Sequence, residues 1–185
     1  MNYYNDYKNS RDAVWRFLLE DGISELPISV SQICRRRGIL VKMYDGTGED
    51  GYTEHVNGRC TIYISTSIDN VGRRRFTAAH ELGHIILGHV GREGLVNREP
   101  SERDNPIERA ANVFASRLLA PACVLWGCNA YAPEQIMQLC NISRQAAEFR
   151  SARMRELRTR GRFLSSPLER EVYDQFLSYI DNHRF

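Results

Sequence analysis

The stretch RRRFTAAHELGHIILGHV, residues 73–90, decides how the rest of the chain is read. It lacks proline, places Phe76, Ala79, Leu82, Gly83, Ile86 and Leu87 on one broad apolar face, and meets Gly88 and Gly91 near its end, so it reads as a helix that stops there. On that helix His80 and His84 are four residues apart and share a face, one turn from each other, a separation at which both imidazoles reach one ion. Glu81 stands beside them, placed to take a proton from water at the metal instead of binding the metal itself. Gly83 costs the helix ~1 kcal/mol relative to alanine, which implies a close approach by another element, the next helix being the candidate.

A catalytic zinc centre takes three protein ligands and leaves one position for water. His89 lies five residues past His84, and the pattern in which a glycine turn delivers a third histidine six residues on is absent, so a second helix is the better source. The segment NPIERAANVFASRLLAP, 105–121, supplies one. Asn105 suits an N-cap and Pro106 the first helical position, and apolar residues follow at 107, 110, 111, 114, 115 and 118. Glu108 on this helix has two readings that the residues alone leave open, a metal ligand or a capping-box glutamate. Asn112, one turn along, is placed to hydrogen-bond the outer ring nitrogen of a ligand histidine or its backbone.

Upstream, SRDAVWRFLLE (10–20) has helical spacing and is stopped by Asp21-Gly22, and LPISVSQICRRRG (26–38) reads as a second short helix from near Ser29 to Gly38. ILVKMYD (39–45) is a strand candidate. Asn57-Gly58 predicts a tight hairpin between 52–56 and 60–65. The polar segment 91–104 reads as a mobile loop. Beyond Pro121, residues 132–157 read as helix, a turn at Cys140-Asn141-Ile142, and helix. A last helix starts at Ser166-Pro167, with Leu168, Val172, Phe176, Leu177 and Ile180 inward.

The chain has 185 residues, 42% hydrophobic and 26% charged, enough for one folded domain with a small appendage. The N-terminus lacks the features of a secretion signal and no apolar run approaches the ~20 residues of a membrane span, so a cytoplasmic protein with no membrane partner is expected. Five scattered cysteines, 34, 60, 123, 128 and 140, suit free thiols. Cys123 and Cys128 read as small buried hydrophobes, not ligands. Net charge is +2, which argues against a nucleic-acid grip by the whole protein, although arginines cluster at 35–37, 73–75 and 144–162.

HELGH at 80–84 followed by ERAANVFASRLLAP at 108–121, with LPISVSQICRRRGILV at 26–41 before them, resembles the ImmA/IrrE family of zinc metallopeptidases. The resemblance covers most of residues 26–121. It implies a zincin-like domain, and with the elements above an α+β fold is expected: a small zincin-like domain with a short antiparallel sheet and the HExxH helix over 1–128, then a helical C-terminal region over 129–185 that the residues themselves give a helix-turn-helix look. It also implies that His80, His84 and Glu108 bind zinc and that Glu81 is the general base and acid. His55, Tyr52 and Tyr63 are candidates for the group that stabilises the developing oxyanion. Members of the family commonly cut a helix-turn-helix transcriptional repressor, in mobile elements or stress responses, and the implied partner is such a repressor. An extended substrate is expected to add to a strand edge, with TIYIS (61–65) the candidate strand.

Two other functions compete. The segment 133–158 also has the look of a helix-turn-helix, and Arg144, Arg150, Arg153, Arg155 and Arg158 on its second helix suggest a DNA-binding regulator with a structural zinc. Structural sites are closed by four protein ligands, however, and Glu81 would then have no role. A zincin that binds a repressor without cutting it is the third reading, against which the intact His-Glu-x-x-His pattern speaks.

Overall fold

The computed structural model describes residues 3–46, 48–90, 94–95 and 105–185. Among these, helices α1 (Tyr3–Glu20) and α2 (Val30–Arg36) precede strands β1 (Leu40–Tyr44), β2 (Gly51–Val56) and β3 (Arg59–Ser65). Helix α3 (Val71–Ile86), strand β4 (Gly94–Leu95) and helix α4 (Pro106–Leu119) follow. The C-terminal part is helical: α5 (Ala122–Gly127), α6 (Pro133–Cys140), α7 (Arg144–Thr159), α8 (Pro167–Gln175) and α9 (Leu177–Asn182). The α+β class expected from the sequence is the class observed.

The chain divides into two compact units, Met1–Ala13 with Ser29–Ala115, and Val14–Ile28 with Ser116–Phe185. In the first, α3 packs on β2 and β3, and α2 packs on α3 and β1. Ile62, Ile64, Ala79, Leu82, Ala111, Phe114 and Ala115 are buried there. In the second, α6 packs on α7, and α5 on α8 and α9, with Leu125, Ile136, Met154, Val172, Phe176 and Ile180 buried.

The hairpin forms as expected. Asn57 and Gly58 have φ of 50° and 75°, the two positive values that a type I′ turn requires, and β2 pairs antiparallel with β3 from Gly51↔Ile64 to Val56↔Arg59. The whole sheet is mixed, because β1 lies parallel to β3, from Leu40↔Thr61 to Tyr44↔Ser65. The order is β1-β3-β2-β4. This corrects the choice of TIYIS as a substrate edge, since β3 is hydrogen-bonded on both sides.

Other expectations shift at their margins. Helix α1 begins at Tyr3, well before Ser10. The segment 91–104 lies outside the described residues except Gly94–Leu95, which form a short strand against Glu54 and His55 of β2. Helix α5 was not expected, since Pro121 reads as a stop; here it is instead the N-cap of the new helix. The last helix is two, broken at Phe176, and Leu177 is exposed. By length and composition Pro106–Gly127 passes as a membrane span, contrary to the reading of the sequence, but 67% of its most apolar window is buried in the protein. All five cysteines are free, and Cys123 and Cys128 are buried.

Candidate metal centre

Helix α3 starts at Asn70, whose side-chain oxygen accepts from Arg73 N–H at 2.9 Å. The helix lies close against two neighbours, and small residues mark both contacts. A Cβ at Gly51 of β2 would stand 2.5 Å from Thr77 Cγ2 and 2.8 Å from Tyr63 O. A Cβ at Gly83 would meet Phe114 of α4 at 3.1–3.3 Å, the close approach by the next helix that Gly83 implied. Asn105 caps α4 through a 2.9 Å bond from Ile107 N–H.

This packing turns one face of α4 onto His80 and His84. Glu108 Oε2 lies 3.1 Å from His80 Nε2, and Glu108 Oε1 lies 3.4 Å from His84 Nε2. The two Nε2 atoms are 3.0 Å apart. Ion-to-ligand distances of ~2.0–2.1 Å at a tetrahedral angle imply about 3.3 Å between ligand atoms, and the three observed separations bracket that value. Among the described residues, His80, His84 and Glu108 form a group with the composition and spacing to hold a metal ion.

The outer nitrogens support the same use. His80 Nδ1 is 3.0 Å from Asn112 Oδ1, so Nδ1 carries the proton and donates, which leaves the Nε2 lone pair turned toward Glu108 and His84. The imidazoles of His80 first and His84 second, beside it, hold the Glu108 carboxyl far below its ordinary range. The electron-rich atoms of three side chains thus converge on one point, an arrangement that a cation stabilises. Glu108 is engaged with the two histidines.

Glu81 is 1% exposed, and its Oε2 accepts a 2.9 Å hydrogen bond from the Thr53 hydroxyl of β2, itself fully buried. Thr53 was not among the residues expected from the sequence. Its signal is positional, for Gly51, Thr53 and His55 alternate onto the face of β2 that meets α3. His55 is therefore on the same face as Thr53. Tyr52 and Tyr63 are not brought to the site. They pair across the hairpin on the opposite face, stacked at 4.7 Å between centroids, with Lys42 over Tyr63 and Tyr44 edge-on to Tyr52.

His89 does not join the three ligand atoms. Its Nδ1 lies 3.2 Å from Nδ1 of His84, on the outer side of that ring. Burial, and then the neighbouring His84, lowers the His89 imidazole to about 4, so the ring is neutral.

The family model described as peptidase M78, IrrE N-terminal-like domain, matches residues 34–151, nearly two thirds of the chain. The chain belongs to the peptidase M78 family. No curated protein matches it. The matched span of this M78 protein contains α3, β2 and α4, and with them every residue of the His80, His84 and Glu108 group. Membership accords with a metallopeptidase, and the donor set of two imidazoles and a carboxylate is one that a divalent metal accepts.

Proposed function

We propose that this protein is a zinc-dependent metalloendopeptidase that hydrolyses a peptide bond in a partner protein, a helix-turn-helix transcriptional repressor, and so relieves repression. The observation that carries the reading is the convergence of His80 Nε2, His84 Nε2 and Glu108 within one coordination sphere, on the helix that also holds Glu81. The repressor as partner rests on the family resemblance.

In this reading His80, His84 and Glu108 hold the ion, and Asn112 keeps the His80 ring in place. When bound, zinc supplies a Lewis acid that polarises the scissile carbonyl and brings a water within reach of deprotonation near neutral pH. Glu81 accepts the proton of the attacking water and passes it to the leaving amine nitrogen as the carbon–nitrogen bond breaks. Thr53 holds one oxygen of that carboxylate, so the proton is exchanged through a group of fixed orientation. His55 is the oxyanion candidate that shares the face of Thr53. An extended substrate segment is read along β2, the strand beside Glu81, instead of along β3.

Metal content of the purified protein tests the site. One zinc per chain, lost in both His80→Ala and Glu108→Ala, is expected; zinc retained in Glu108→Ala would leave Glu108 a cap, and no metal in the wild type would reduce HELGH to a helix face. Glu81→Gln should keep zinc and fold while losing cleavage of the repressor, and unchanged cleavage would remove Glu81 from its role. A variant pair that binds the repressor equally well, with no cleavage by the wild type, is the outcome for an inactive zincin.

A further inference from the structure

The end of α3 turns back on the metal centre. Gly88 has φ +72°, the left-handed conformation that glycine adopts without steric cost just after a helix C-cap. Gly88 N–H donates to Ile85 O at 3.1 Å and His89 N–H to His84 O at 2.9 Å, the two bonds of a Schellman motif. That turn carries the His89 ring back over His84, five residues earlier. The ring centroids are 5.2 Å apart with planes at 67°, and the two Nδ1 atoms are 3.2 Å apart.

We infer that His89 is a positioning residue for His84, accepting a hydrogen bond from His84 Nδ1–H and thereby fixing the tautomer and direction of the ligand ring. The inference rests on the metal-ligand role proposed for His84. A hydrogen bond between two ring nitrogens needs one N–H and one lone pair. With the His84 lone pair on Nδ1, the proton would lie on Nε2, the atom that faces Glu108 and His80, and the ligand position would be lost. The donor is therefore His84 and the acceptor His89. His80 has the corresponding support from Asn112, on α4. The two ligand rings are thus steadied from different elements, one by the neighbouring helix and one by the C-terminal turn of their own helix.

Zinc affinity, read by competition with a chromophoric chelator, tests this on the full-length protein. His89→Phe keeps a ring of similar volume without an acceptor, and His89→Asn places Oδ1 near the position of the lost Nδ1. Affinity is expected to fall ~10- to 100-fold in His89→Phe, as for other groups that orient ligand histidines, and to recover for the most part in His89→Asn. His89→Phe binding as tightly as wild type would overturn the inference and leave the metallopeptidase reading intact; so would His89→Asn binding as weakly as His89→Phe, which would make the role one of ring packing. A wild type that binds no zinc would overturn both. Nitrogen-15 NMR of the imidazoles in the metal-free wild type gives a check that needs no variant to fold: the proton on Nδ1 of His84 is the expected result, and the proton on Nε2 overturns the inference.

Discussion

The hydroxyl of Thr53 donates to Glu81 Oε2 at 2.9 Å, joining the middle of β2 to the centre of the HExxH helix. Both side chains are buried, so water does not replace the bond when it is removed. Thr53→Val, which preserves shape and β-branching, is expected to cost ~1–3 kcal/mol of stability, the range for a lost buried hydrogen bond. It should also lower turnover on the order of 10- to 100-fold, since Glu81 loses its fixed orientation. Thr53→Ser keeps the donor and should restore most of the rate. Urea unfolding, cleavage rate and zinc content measured on the three proteins check this; a Val variant of full rate shows that Glu81 is oriented by other means.

Gly51 and Gly83 hold the two faces of α3 at different closeness. At Gly51 a methyl group meets backbone, Tyr63 O, at 2.8 Å as well as Thr77, and the strand must move. At Gly83 it meets Phe114 at 3.1–3.3 Å, including its Cβ, while the helix gains up to ~1 kcal/mol of propensity. Gly51→Ala should therefore destabilise by ~1–3 kcal/mol, and Gly83→Ala by less. The second variant has the more specific effect, because pushing Phe114 away shifts the helix that carries Glu108 and Asn112. Its zinc affinity should fall more than its melting temperature indicates, and equal losses in both variants would contradict this ordering.

What could be read locally was read well. Asn57-Gly58 gives the hairpin, Asn105-Pro106 gives the start of α4, and the spacing of His80 and His84 puts two imidazoles on one face, because each depends on residues within a turn or two of one another. The position of β3 between β1 and β2 depends on which strand pairs with which, and no local pattern encodes it. The same holds for Tyr52 and Tyr63. Their composition suits a catalytic helper, but the twofold period of a strand sends them to the face opposite Thr53. His89 is set apart from the ligands by its distance along the sequence and is not among the three converging atoms; what the sequence does not display is the left-handed turn at Gly88 that brings it to the outer side of His84.

The placement of the three oxyanion candidates separates them. Tyr52→Phe and Tyr63→Phe keep the aromatic stack and remove only hydroxyls on the far face of the sheet, so cleavage rates within about twofold of wild type are expected, typical of surface changes away from a site. His55→Ala is the variant expected to lower kcat, by ~100-fold if its side chain is the oxyanion donor, with zinc content unchanged. Steady-state kinetics on the proposed repressor substrate distinguish them. A large loss in Tyr63→Phe with none in His55→Ala would reverse the assignment.

The arginines of α7 serve the protein's own structure, which bears on the DNA-binding alternative. Arg144 pairs with Glu134, Arg153 and Arg160 with Glu156, Arg155 bonds Ser151 Oγ, and Arg158 lies over the Tyr131 ring. Arg150 is buried and donates at 2.7 Å to Ser116 O in the last turn of α4. Arg150→Met removes that buried hydrogen bond and should cost ~1–3 kcal/mol. Arg153→Ala, which removes a partly exposed ion pair with Glu156, should stay within about 0.5 kcal/mol. If α7 instead read DNA, binding to duplex would fall steeply with salt and would weaken in Arg153→Ala and Arg155→Ala. The expected outcome is stability loss confined to Arg150→Met, with no salt-dependent duplex binding for either surface variant to lose.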